Sequence, residues 1–102
     1  MPKYMEISPS KAKGKKWKAQ FYHFIDGKKK IIKTTNFGDS SAEDYTQHKS
    51  KERRSKYRSR HKKDLSTDDP MRAGYLSYYI LWGASTDIKK NISNYKKRFN
   101  FK

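Results

Sequence analysis

The 102-residue chain contains no cysteine, which excludes a disulfide framework, a thiolate metal site and a cysteine nucleophile and fits a reducing compartment. It has no apolar run approaching the ~18 residues a membrane span requires. Its first residues, MPKYMEISPSKAKGKK, also lack an apolar targeting segment, so neither a signal peptide nor a membrane span is expected. A Ser-His-Asp order, a glycine-rich phosphate loop and a Walker-type lysine are all missing. Acids are scarce too: 10 Asp and Glu face 26 Lys and Arg, a formal charge of +16 and a pI near 10.1. That bias favours DNA, RNA or an anionic surface as partner and disfavours cationic or plain apolar ligands.

A hydrophobic fraction of 32% raises the question of disorder. Aromatic residues make up 15%, eight of them tyrosine, more than a solvated tail carries, so a single small folded body is expected. Residues 1–14 read as a basic flexible arm, limited by Pro2 and Pro9, with a short strand at Tyr4–Ile7. Residues 15–102 read as one domain. Within it, KKWKAQFYHFIDGKKKIIKTTNFG holds two aromatic and β-branched runs joined by Asp26-Gly27, a strong hairpin signal. Alternation puts Trp17, Ala19, Phe21 and His23 on one face and Lys18, Gln20, Tyr22 and Phe24 on the other.

Ser40 and Glu43 have capping-box spacing, and a helical pattern follows to Lys63, with Thr46 as an alternative start. Its apolar stripe is thin: Ala42, Tyr45, His48, Tyr57 and His61. Pro70 and three aspartates stop it. MRAGYLSYYILWG then supplies the densest apolar patch, ending at Gly83. A last helix, from about Asp87 to Phe99, carries Ile88, Ile92, Tyr95 and Phe99 at amphipathic spacing. The expected fold is α+β: an N-terminal antiparallel β-hairpin or three-stranded sheet, a basic helix, and two C-terminal packing helices.

The functional signal is concentrated in His48–Lys63, where nine Lys or Arg meet one acid, Glu52. So much like charge on one helix repels itself and calls for an anion; phosphate contacts release condensed counterions and answer that need. Arg53, Arg54, Lys56, Arg58, Arg60, Lys62 and Lys63 are the candidate contacts here, with Lys16, Lys18, Lys28 and Lys30 on the strands. Trp17, Tyr22 and Tyr57 are the candidate stacking or sugar-contacting rings. His23, His48 and His61 lack the spacing and partners of a metal set. Asp64, Asp68 and Asp69 could hold Mg²⁺ in a nuclease, but acids around a proline in a turn more often cap helices and pair with bases. No enzyme, cofactor or small-molecule substrate is expected.

The hairpin segment resembles the sheet of integrase-arm and plant AP2-type DNA-binding domains, in which two strands and a turn enter the major groove. A longer resemblance runs over about residues 15–99. Lys16–Phe21, the Asp26-Gly27 turn, Asn36–Gly38, Asp44–Lys49, Arg53–Asp64, Asp69–Gly83 and Asn91–Phe99 look like a family of short, basic, uncharacterised proteins of large double-stranded DNA viruses of eukaryotes. That resemblance implies a virus-encoded protein, acting in the host nucleus or a cytoplasmic virus factory and in the virion. The expected function is low-specificity binding of nucleic acid, DNA before RNA, in genome packaging or condensation. The alternative is a minor capsid or scaffold component contacting other virion proteins.

Overall fold

A computed structural model describes residues 2–102. Three antiparallel strands, β1 (Tyr4–Pro9), β2 (Lys15–Ile25) and β3 (Lys28–Asp39), form a sheet in the order β1-β2-β3. Helices follow: α1 (Tyr45–His48), α2 (Lys51–His61), a 3₁₀ stretch (Lys62–Thr67), α3 (Ala73–Leu76) running into a π segment (Ser77–Leu81), and α4 (Ile88–Phe99). The α+β class and the order of sheet then helices are as the sequence suggests.

Asp26 and Gly27 both take positive φ, 51° and 75°. This is the geometry that matches a two-residue turn to the twist of its strands. A bulge between Phe21 and Tyr22 pairs Phe21 with Lys33 but Tyr22 with Ile31. In a regular strand Ile31 and Lys33 would share a face; the bulge sends them to opposite faces. Ala19 and Phe21 of β2 and Thr35 and Phe37 of β3 are buried on one side. Tyr22 and Phe24 lie on the other, as the alternation requires.

The segment expected as a flexible arm is largely built into the sheet. Tyr4–Pro9 pairs with Tyr22–Trp17, Met5 is buried, and the Met5 N–H donates to the Lys102 carbonyl at 2.9 Å. Phe101 sits beside it in a parallel bridge from Lys3. The short strand expected at Tyr4–Ile7 thus runs on to Pro9, held by pairing with β2 and by cover from the C-terminus.

The core joins Met5, Ala19, Phe21 and Phe37 of the sheet to Tyr75, Leu76, Ile80, Leu81, Tyr95 and Phe101. One regular helix over MRAGYLSYYILW was expected. From Ser77 it widens instead, and the Trp82 N–H reaches the Ser77 carbonyl at 3.0 Å. Tyr75, Leu76, Tyr78, Ile80 and Leu81 are all buried, so this segment is covered almost all round, as a helix apolar on every side must be. Gly83 ends it in tight contact, since a Cβ there would lie 2.1 Å from the Tyr79 carbonyl oxygen. In α4, Tyr95 is buried and Ile88, Ile92 and Phe99 pack on the core, as their spacing predicts.

Gly83→Ala is expected to destabilise the fold by about 3 kcal/mol, because the added methyl meets backbone and not a yielding side chain. Urea unfolding followed by tryptophan fluorescence measures it; an unchanged midpoint would contradict the close approach.

Candidate nucleic-acid interface

No residue of α2 is buried, so this helix is not held by an apolar face. It docks through a half-buried stripe, Arg54, Tyr57, Arg58 and His61, at i, i+3, i+4 and i+7. The Arg54 Nε donates to the Gly83 carbonyl at 2.7 Å. Arg58 Nη1 donates to the carbonyls of Trp82 at 2.8 Å and Tyr78 at 3.2 Å, with its guanidinium 4.0 Å from the Tyr78 ring centre. A helix end leaves carbonyls without intrahelical partners, and these two arginines satisfy those at the end of the π segment. Burial, then the positive charges of Arg54 and Arg98, push the Arg58 pKa below its ordinary value, while the Tyr78 and Tyr79 rings oppose the shift.

Tyr57 is closed on both sides, with Trp82 stacked at 4.2 Å and His61 at 4.1 Å between ring centres. Its hydroxyl is pushed up by burial. Both faces of this half-buried ring are thus occupied within the fold, and Trp17, also half-buried, packs against the core. Tyr22 does lie on the open sheet face, stacked on Tyr4 at 5.3 Å and edge-on to Phe24 at 5.8 Å, with the Lys29 ammonium 4.3 Å from its ring centre.

Lys16 is also committed internally. Its Nζ lies 2.8 Å from Asp44 Oδ2 and bonds Gln47 Oε1. Asp44 is buried and caps α1 in a box with Gln47, the Gln47 side chain accepting the Asp44 N–H at 3.0 Å. The capping box thus lies at Asp44 and Gln47, a full turn of about four residues beyond the expected Ser40 and Glu43, where the buried acid has Lys16 as its partner. Lys49, at φ 58°, breaks the helical run, and Ser50 restarts it by accepting the Arg53 N–H at 3.2 Å.

Arg54, Arg58 and Lys16 therefore serve the fold, while the remaining candidates stay at the surface. Arg53 and Lys56 make only exposed pairs with Glu43 (3.8 Å) and Glu52 (3.2 Å), worth little in water. Arg60, Lys62 and Lys63 are exposed, as are Lys28 and Lys30 beside the hairpin turn; Lys18 is half-buried on the open sheet face. Arg53, Lys56 and Arg60 border a cleft of about 470 Å³ shared with Lys16, Gly38 and Asp39, at the end of the sheet opposite the turn. At about 3.3 Å per residue, the strand from Lys16 to Ile25 places the turn roughly 30 Å away. The helix and the hairpin turn thus form two cationic poles about the length of β2 apart on a molecule 47 Å long, with Lys18 and Lys33 half-buried on the strands between them.

His48 is held neutral. Its Nδ1 accepts the Ser50 N–H at 2.9 Å, which leaves the proton on Nε2, a buried atom without a hydrogen-bond partner. Burial, followed by the charge of Arg53, lowers its pKa below 6.5; Lys16 adds to this, while Glu43 and Asp44 oppose it. Asp64 pairs with the His61 side chain at 3.1 Å, and Asp69 accepts the Met71 N–H at 2.9 Å and closes a local turn. Among the described residues no three His, Asp or Glu side chains converge as metal ligands, and no helix is long and apolar enough to cross a membrane.

Arg58→Ala is expected to cost about 2–3 kcal/mol of stability by stripping two carbonyls of a charged donor, whereas Arg60→Ala should stay within about 0.5 kcal/mol. Equal urea midpoints for the two variants would contradict the division. Because the folded state resists protonation of His48, the stability it contributes is complete above pH 6.5 and declines as pH falls below that value. Urea midpoints compared between about pH 7 and about pH 5 should therefore fall less in His48→Gln than in the native chain.

No curated protein and no solved structure matches the chain. Residues 5–61, more than half its length and spanning β1 through α2, match a family of unknown function, DUF5754. The chain, with its twisted basic hairpin and arginine-docked helix, belongs to that family.

Proposed function

We propose that the protein binds nucleic acid, duplex DNA before RNA, without catalysis and with little sequence specificity, in genome packaging or condensation. The observation that carries this reading is the disposition of charge: within a net +16, exposed cations gather at the α2 end and at the hairpin turn of a 47 Å body, with only exposed ion pairs among them. An extended polyanion suits such a pair of poles. A compact ligand would reach only one. Their separation of roughly 30 Å is close to the ~34 Å repeat of B-DNA, so one protein can meet phosphates about a turn apart.

Arg53, Lys56, Arg60, Lys62 and Lys63 supply one pole and Lys28, Lys29 and Lys30 the other. Tyr22, with Tyr4 and Phe24, offers rings on the open sheet face for sugar or base contact. A viral setting, suggested by the resemblance of the sequence, belongs to this proposal. The second reading, a structural component that contacts other virion proteins, draws support from Phe24, Ile25, Ile31 and Ile32, which are exposed around the hairpin turn.

If about six phosphates are engaged, log K should fall with log salt at a slope near −5 on duplex DNA. Changing Lys28, Lys29 and Lys30 together to Ala should flatten the slope by about 0.9 for each phosphate no longer neutralised, and changing Arg53, Lys56 and Arg60 should do the same. A fluorescence-anisotropy titration reads both. A native slope near zero would overturn the proposal, and a stable complex with coat protein without DNA affinity would favour the structural reading.

A further inference from the structure

A second cleft, of about 300 Å³, opens where α2, the end of the π segment and α4 meet. Three arginines line it: Arg54 and Arg58 from α2 and Arg98 from α4. No carboxylate is among its lining residues. Arg54 and Arg58 each use part of their guanidinium on backbone carbonyls, and a guanidinium has five N–H donors in all, so donors remain on both. The exposed Arg98 side chain makes no hydrogen bond or ion pair among the described residues and lies with its guanidinium 4.7 Å from the Tyr79 ring centre and 5.9 Å from that of Phe99.

Gathering three permanent cations in one cleft costs Coulomb energy that neutral carbonyls and rings offset only in part. Burial first, then the charges of Arg54 and Arg98, lower the Arg58 pKa, in keeping with three guanidinium groups that line one cleft. A fold that merely needed α2 held in place could do so with Arg54 and Arg58. Arg98 adds repulsion without a backbone bond.

We infer that this cleft is a phosphate seat, in which the guanidinium groups of Arg54, Arg58 and Arg98 hold one tetrahedral phosphoryl group. Three planar forks offer more donors than the two oxygens of a carboxylate accept, and they match the three or more oxygens of a phosphate. Asn94 at the rim supplies a further polar group. The seat is distinct from the exposed cations of the two poles: it is concave, shared between two helices and selective by geometry. It does not depend on nucleic-acid binding, since a free phosphorylated molecule would satisfy the same donors.

The test is isothermal titration of the full chain with inorganic phosphate at fixed ionic strength, against sodium acetate as the control anion. Saturable heat with phosphate and none with acetate is expected. Arg98→Ala removes no hydrogen bond or ion pair of the fold, only the ring contacts of an exposed side chain, so its melting temperature without phosphate should stay close to native while it binds phosphate about tenfold more weakly, and Arg98→Lys should recover part of the loss. No saturable binding of phosphate, equal binding of acetate, or an undiminished affinity in Arg98→Ala would each overturn the seat. Titrating a short DNA duplex with and without saturating phosphate then separates the sources. Competition assigns the seat to a backbone phosphate and its absence to a free phosphorylated molecule, and phosphate binding in a protein that ignores DNA would retain the seat while refuting the nucleic-acid reading.

Discussion

The carbonyl groups at the end of the π segment are the point on which the assembly turns. Ile80 offers its oxygen to Asn91 of α4 at 2.9 Å, Gly83 to Arg54 at 2.7 Å and Trp82 to Arg58 at 2.8 Å. These donors come from two different helices, so one backbone end orients both α2 and α4. Charged donors to buried carbonyls are among the stronger hydrogen bonds. Apolar contact alone would not suffice, because α2 buries no residue.

The same device recurs wherever a connecting segment must be held. Thr35 donates to the Met71 carbonyl at 2.7 Å, Tyr75 to Leu65 at 2.7 Å, and Tyr95 to Pro70. Asn91 also donates to the Ser85 carbonyl at 2.7 Å and accepts the Ser85 N–H at 3.0 Å. A chain with 32% hydrophobic residues has little apolar area to bury, so tyrosine, threonine, asparagine and arginine fasten loops to a small core by satisfying backbone groups that would otherwise be costly to desolvate. Tyr75 and Tyr95 combine both roles, their rings in the core and their hydroxyls on carbonyls at its rim.

This use of polar side chains also resolves the tension in the basic run. Nine cations against one acid are hard to accommodate on a solvated helix, and the fold relieves the crowding by giving Arg54 and Arg58 carbonyl acceptors. The others remain at the surface, separated by the length of β2 from the lysines of the hairpin. Exposed cations thus stand at both ends of the sheet, and a separate three-arginine cleft lies between the helices.

Short-range features of the sequence carried over well. The Asp26-Gly27 turn, the alternation along β2 and the 88–99 helix depend on neighbours within a few positions, and each appears with nearly the expected bounds. The shift of the capping box to Asp44, the strand at Tyr4–Pro9 and the bulge opposite Phe21 depend on groups far along the chain, namely Lys16, β2 with the C-terminus, and the pairing register. Among the candidate nucleic-acid residues, Arg53, Lys56 and Arg60 kept their exposed positions while Arg54, Arg58, Lys16, Trp17 and Tyr57 were drawn inward. The docking stripe at 54, 57, 58 and 61 was present as a spacing, but nothing local marks an arginine as a carbonyl cap. The sequence by itself determined the sign and size of the charge, the hairpin and the succession of sheet and helices, because these are sums and periodicities of local residues. Which cations face a partner was decided only by the tertiary structure, because an arginine is engaged or left free according to whether folding brings an unpaired carbonyl within reach.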